Sequence, residues 1–357
     1  MRAIRAALGR LRRVAKQQRI DPRQIERQRQ AAKAASKTVT PSKPTSGRNR
    51  GKSGHPGGRK AGEVRPATLR TWIAGARLQT LLLAVAPVVL GTGAASLLLA
   101  HWYDHWFRAV LAVIVALALQ IGVNFANDYS DGIRGVDTNR VGPPRLVGSG
   151  RAKPRAVLTV AIVFFAIAAV AGGILIWRSG QWWLLAVGAV CIAAAWFYTG
   201  GKHPYGYYAL GEVAVFVFFG VVPVAGTMYT QTGTVNIEAW LGGVALGCFA
   251  CAVLVVNNLR DRERDAVSRK RTLAVLLGDR LSRALYVVLM LVPMGLLAFY
   301  TVFYLQAGYA FFVAILVLPA IVIVLFAKTA REYVTALRLT LFAAFVYGVG
   351  LAAALAF

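Results

Sequence analysis

The sequence predicts an all-α polytopic membrane protein with nine transmembrane helices, and three observations carry that expectation. Apolar residues make up 57% of the 357 and charged residues only 15%. The apolar residues fall in runs of about twenty rather than alternating with polar ones, and that is the length a helix needs to cross a bilayer. Basic residues gather between the runs, almost all of them on one of the two sides that the runs define.

The chain divides near residue 66. Residues 1–66 form a basic, low-complexity segment rich in Ala, Gln, Ser, Pro and Gly, and residues 67–357 form the membrane domain. Of 41 Lys and Arg, 20 lie in residues 1–70 against three acids, Asp21, Glu26 and Glu63. So few apolar side chains cannot build a core, and the segment reads as a disordered, solvated cytoplasmic tail. Ile4, Leu8, Leu11 and Ala15 recur at helical spacing, which also suits a basic helix lying on anionic lipid headgroups. The Arg-rich, acid-poor composition fits an organellar transit peptide as well. No folded nucleic-acid reader motif accompanies the charge, so nucleic acid is not an expected partner.

Spans are expected at 79–100, 108–127, 155–177, 182–198, 207–229, 239–257, 283–304, 308–327 and 336–356. With the tail in the cytoplasm, the cytoplasmic loops hold 18 Lys and Arg and the external loops two, Arg108 and Arg178. This positive-inside asymmetry places the C-terminus outside. Cys191, Cys248 and Cys251 all sit within apolar runs, so no disulfide framework is implied. Cys248 and Cys251 have C-x-x-C spacing, but without a soluble redox context they read as small residues packed between helices. His101, Asp104 and His105 stand among Trp102, Tyr103 and Trp106, an interfacial aromatic belt rather than a metal site.

Two acidic stretches interrupt this apolar design. The second span closes on Asn124, Asn127, Asp128 and Asp131, with Asp137 beyond. The sixth closes on Asn257, Asn258, Asp261 and Asp265. On a helix Asn124, Asn127/Asp128 and Asp131 fall on one face, and so do Asn257, Asp261 and Asp265. Ionisable groups at membrane depth are costly and mark functional sites by default. Each stretch is followed by a basic loop with a short apolar insert, Arg145 to Gly150 and Thr272 to Gly278. This weak duplication points both acidic faces at one cytoplasmic cavity.

Two sets of hard oxygen ligands with Arg and Lys beside them suit Mg²⁺ holding a diphosphate, since Mg²⁺ binds through few carboxylates plus substrate oxygens. The same charges stabilise a departing pyrophosphate. Loss of diphosphate from an allylic lipid leaves a carbocation, which the faces of Phe125, Tyr129, Tyr198 and Tyr205 are suited to stabilise. A cation or proton transporter is the rival class. Against it, both stretches sit at one edge of the membrane rather than at its midplane.

Several segments resemble the UbiA-type intramembrane aromatic prenyltransferases. They are Trp72-Ile-Ala-Gly-Ala-Arg77-Leu-Gln-Thr80 leading to Pro87-Val-Val-Leu-Gly-Thr92, Asn127-Asp-Tyr-Ser-Asp-Gly-Ile-Arg-Gly-Val-Asp137, Arg140-Val-Gly-Pro-Pro-Arg145-Leu-Val-Gly-Ser149 and Tyr198-Thr-Gly-Gly-Lys-His-Pro-Tyr-Gly206. The likeness runs from about Trp72 to the C-terminus. The family's first motif is N-D-x-x-D-x-x-x-D, whereas here Asp137 follows Asp131 by six residues; its second, D-x-x-x-D, is matched by Asp261 and Asp265.

The resemblance implies nine helices around a central cavity open to lipid, in a multi-pass cell-membrane enzyme. Its reaction would join the prenyl group of a polyprenyl diphosphate to 1,4-dihydroxy-2-naphthoate in menaquinone synthesis, releasing pyrophosphate and carbon dioxide. Other acceptors, 4-hydroxybenzoate or homogentisate, belong to the same chemistry. Asp128, Asp131, Asp261 and Asp265, with Asp137 as a further candidate, would hold two Mg²⁺ ions, supported by Asn124, Asn127 and Asn257 or Asn258. Arg134, Arg145, Lys270 and Arg271 would meet the diphosphate. Lys202 or Arg145 would meet the acceptor's carboxylate. Glu212, alone in the fifth span, reads either as a proton-handling group or as a hydrogen-bonded structural acid.

Overall fold

The computed structural model describes residues 66–101, 105–135, 145–268 and 270–357. The expectations for the tail, Asp104 and Asp137 therefore fall outside the described residues. A short helix, α1 (Leu69–Gly75), precedes α2 (Leu78–Ser96), α3 (Trp106–Ile133), α4 (Pro154–Ser179), α5 (Leu184–Phe197) and α6 (Gly211–Thr232). The chain then continues through α7 (Ile237–Val267), α8 (Leu273–Phe303), α9 (Leu305–Phe326) and α10 (Ala330–Ala356). No strand occurs among the described residues.

Eight of these helices are long and apolar enough to cross a membrane, and the span expected at 182–198 appears as the shorter α5, 14 residues. At 1.5 Å per residue α5 is about 21 Å long, less than the roughly 30 Å of a hydrocarbon core. In contrast, α3 and α7 outrun the bilayer at 28 and 31 residues. Their extra turns carry the two acidic stretches, which are therefore continuous helix rather than loop.

One apolar cluster joins α2, α6, α7, α8, α9 and α10. Another joins α3, α4 and the loop after α3 through Phe125, Leu146, Val157, Ala161 and Phe165. α7 is the central helix, packed on α2, α6, α8 and α10. Small residues let it approach α6 closely: a Cβ on Gly220 would stand 2.4 Å from Gly247 Cα and 2.5 Å from Gly243 O. Gly243 and Gly247 have G-x-x-x-G spacing, the pattern that allows membrane helices to meet backbone to backbone. Gly220 lies in a π-helical turn, Val217–Val221, just ahead of Pro223, whose missing N–H leaves a carbonyl of that turn without its usual donor. Gly220→Ala is expected to destabilise the fold by about 1–3 kcal/mol through overpacking, measured as a lowered midpoint of thermal unfolding in detergent; an unchanged midpoint would show that α6 is free to move away from α7.

Candidate active site

The acidic C-terminal extensions of α3 and α7 face each other across a polar cavity of about 170 Å³. From α3 come Asn127 and Asp131, and from α7 come Asn257, Asn258, Asp261, Arg264 and Asp265. Arg77, Arg145, Lys270 and Thr272 close it from the loops, and the connection between α5 and α6 lays Tyr198, Thr199 and Tyr207 across it. Arg77 occupies the left-handed region at φ 53°, unusual for a residue with a side chain, and it is the hinge between α1 and α2.

The single polar face expected on α3 divides in two. Asn127 and Asp131, four residues apart, line the polar cavity. Asn124 and Asp128, also four apart, fall on the neighbouring stripe about 60° away. Asn124 donates through Nδ2 to Ala76 O at 2.9 Å and Thr80 Oγ1 at 3.1 Å, holding the α1–α2 break. Asp128 turns to the loop after α3, where Oδ2 accepts from Leu146 N at 2.8 Å and Oδ1 from Val147 N at 3.1 Å. Three of the four expected acidic ligands thus meet at the cavity, and Asp128 does not.

Asp131 is only 3% exposed and gathers its surroundings. Tyr207 Oη donates to its Oδ1 at 2.6 Å, and Arg145 Nη2 and Lys270 Nζ lie 3.6 and 3.7 Å from its Oδ2. Lys270 Nζ also stands 4.4 Å from the centre of the Tyr207 ring. Burial and the adjoining Asp131 carboxylate push the Tyr207 phenol well above its ordinary range, so it stays a donor at all physiological pH. Asp261 is paired with Arg260 at 2.7 Å. Three carboxylates and four cations, Arg77, Arg145, Arg264 and Lys270, give the cavity net positive charge suited to an anion.

A second, apolar cavity of about 390 Å³ runs between α2, α3, α4, α5, α6 and α7. Arg77, Asn127, Tyr198, Leu254 and Asn257 line both cavities, so the two join at this level. Tyr198 and Tyr205 meet edge to face at 5.5 Å between centroids beside the junction, and Tyr205 Oη donates to Ala194 O at 2.8 Å. Burial pushes the Tyr205 phenol up to about 12.

Other expected site residues take supporting or distant places. Phe125 packs between Trp72 and Phe164, and Tyr129 packs on the same cluster; neither lines either of these two cavities. Arg134 donates to Thr199 O and Gly201 O, fixing the α5–α6 connection from the surface. Lys202 and Arg271 are exposed and line neither cavity. Glu212 is buried behind the polar cavity and accepts from Asn258 Nδ2 at 3.1 Å. Sequence reasoning missed Arg77, Thr199, Tyr207, Arg264 and Thr272. The only signal for Tyr207 was its place in a tyrosine-rich connection, and its contact with Asp131 is a product of the tertiary fold.

Among the described residues no three His, Cys, Asp or Glu side chains converge into a metal cage. The donor set still fits Mg²⁺, because Asp131, Asp261 and Asp265 are hard oxygen ligands disposed around one cavity, and Mg²⁺ completes its shell with water and substrate oxygens.

The model of the UbiA prenyltransferase family matches residues 84–349. The chain belongs to that family. This UbiA-family protein is 51% identical over 308 residues to the 1,4-dihydroxy-2-naphthoate octaprenyltransferase of Mycobacterium tuberculosis (strain ATCC 25618 / H37Rv), covering 82% of this chain and 98% of the relative. It is 37% identical over 258 residues to the protein of the same name from Escherichia coli (strain K12), covering 69% and 81%. Its fold is that of a UbiA homolog from Aeropyrum pernix K1, with a TM-score of 0.60 at 15% identity over 75% of this chain and 96% of the other. A UbiA homolog from Archaeoglobus fulgidus, whose structure holds GPP and Mg²⁺, aligns with a TM-score of 0.56 at 13% identity over 79% and 99%. The membrane character expected from the apolar runs is thus that of a UbiA-family protein.

Proposed function

We propose that this protein transfers a polyprenyl group from polyprenyl diphosphate to 1,4-dihydroxy-2-naphthoate, releasing pyrophosphate and carbon dioxide and forming the demethylated precursor of menaquinone. The observation that carries the reading is the joining of a cationic, carboxylate-lined cavity to a larger apolar one. That pair of spaces matches an amphiphile with a diphosphate head and a long hydrocarbon tail. The names of the relatives from Mycobacterium tuberculosis and Escherichia coli support the choice of acceptor.

In this reading the head lies against Arg145, Arg264 and Lys270, and Mg²⁺ held by Asp131, Asp261 and Asp265 neutralises charge on the departing pyrophosphate. Asp128 acts through the loop that carries Arg145. The allylic C–O bond breaks heterolytically, and its electron pair leaves with pyrophosphate. Tyr198 and Tyr205, beside the junction, supply aromatic ring faces that can stabilise the developing cation without capturing it. The electron-rich naphthoate ring attacks from the same level, and loss of its carboxylate as carbon dioxide restores the aromatic ring. Of the two cations considered for that carboxylate, Arg145 lines the cavity and Lys202 does not; Arg77, shared by both cavities, is a further contact. The charge asymmetry of the loops supports a cytoplasmic mouth and N-terminus and an external C-terminus. The tail is read as solvated in the cytoplasm, with anionic headgroups as the partner its charge favours where it meets the membrane.

The test is carbon dioxide release from carboxyl-labelled 1,4-dihydroxy-2-naphthoate by purified protein with a polyprenyl diphosphate, with and without Mg²⁺. Mg²⁺-dependent release together with a prenylated quinol is expected. Prenyl transfer to 4-hydroxybenzoate or homogentisate without such release would keep the chemistry and replace the acceptor. An intact diphosphate after incubation with folded protein would refute the reading.

A further inference from the structure

Two adjacent asparagines on α7 are held with their amides in opposite senses. Arg260 Nη2 donates to Asn257 Oδ1 at 2.8 Å. A guanidinium has only donors, so Asn257 spends its Oδ1 on Arg260, which leaves Nδ2 for the cavities that the residue lines. Asn258 does the reverse: its Nδ2 donates to Glu212 Oε1 at 3.1 Å, which leaves Oδ1 for the polar cavity. The oxygen and nitrogen of a side-chain amide are almost the same shape, so packing alone does not choose between them; the hydrogen-bond partner does.

We infer that Glu212 is a positioning residue that holds Asn258 with its carbonyl oxygen toward the polar cavity, adding a hard donor beside Asp261 and Asp265 for the cation that accompanies a diphosphate. Asn258, Asp261 and Asp265 stand at i, i+3 and i+7 on α7 and share its cavity face. Glu212 is itself fixed. It sits in the first turn of α6, where Cys251 Sγ on α7 donates to its backbone oxygen at 3.1 Å. Glu212 and Asn258 are each only 8% exposed, so water does not compete freely for their bond. Glu212 lines neither cavity and so has no direct access to a substrate proton. The inference rests on the diphosphate reading of the cavity, and it settles the two roles the sequence left open for this acid in favour of positioning.

The test is calorimetric binding of inorganic pyrophosphate with Mg²⁺ to the full-length chain in detergent, which reads the site without turnover. E212M, which keeps side-chain length and loses the acceptor, is expected to weaken binding about tenfold, as loss of an outer partner of a metal ligand does. E212Q retains an oxygen that accepts from Asn258 Nδ2, so its affinity is expected within about threefold of wild type. The double variant E212M/N258A is expected to bind no more weakly than N258A, because both lesions remove the same oxygen. Wild-type affinity in E212M would overturn the inference while leaving the diphosphate site intact. Losses that multiply in the double variant would overturn it too, as would an E212Q as impaired as E212M. A wild-type chain that binds no pyrophosphate with Mg²⁺ would remove the diphosphate reading and this inference together.

Discussion

Asp131→Asn is expected to lower turnover by about 10³-fold while the chain still folds and enters the membrane. The substitution keeps the shape of the side chain and removes one negative charge from the place where Tyr207, Arg145 and Lys270 converge. Two consequences add. The cavity loses one of three carboxylates able to hold a divalent cation. Arg145 and Lys270 also lose the group that spaces them, so the cations that should meet a diphosphate are no longer presented in one register. The measurement is prenylated quinol formed by D131N under saturating substrates, alongside its unfolding midpoint in detergent. More than a tenth of wild-type turnover would remove Asp131 from the site.

The sequence made the helices legible because a membrane span is written in composition and length, which do not depend on tertiary contacts. The spans that ended in Asp and Asn were the informative ones. They announced the site, and the structure brings Asn127, Asp131, Asn257, Asn258, Asp261 and Asp265 to one cavity. Periodicity was less informative about neighbours one position apart. Asn127 and Asp128 both fit a helical stripe with Asp131, yet 100° of rotation sends one to the cavity and the other to a loop. The aromatic residues were the least legible. Phe125 and Tyr129 had the same qualifications as Tyr198 and Tyr205 in sequence, but the first pair packs under the loop after α3 and the second stands at the junction of the cavities. Tyr207 and Arg77 act from connections whose paths are set by long-range packing, and no local pattern encodes that. Lys202 followed the charge rule for cytoplasmic loops, which is blind to whether a cation faces a cavity or water.

Asp128→Ala is expected to produce a different failure from Asp131→Asn, and the contrast separates a loop anchor from a cation ligand. Both Asp128 oxygens are spent on backbone amides, and the loop they hold is pressed on α3 so closely that a Cβ on Gly132 would stand 2.4 Å from Val147 Cγ1. Leu146 is 1% exposed, so water cannot replace the lost acceptor there. An unpaired buried N–H costs about 1–3 kcal/mol, which applies in full to the Leu146 amide, while the half-buried Val147 amide, open to water, adds less. The damage should fall first on the loop and reach the chemistry through Arg145, the residue next to Leu146 in it. D128A is therefore expected to unfold at distinctly lower temperature and to raise KM for the polyprenyl diphosphate. Asp128→Asn, able to accept one of the two amides, should fall between it and wild type. Thermal unfolding and steady-state kinetics of the three variants decide the matter. If D128A keeps wild-type thermal stability yet loses turnover as completely as D131N, Asp128 belongs with the cation ligands and the loop's grip on it is incidental.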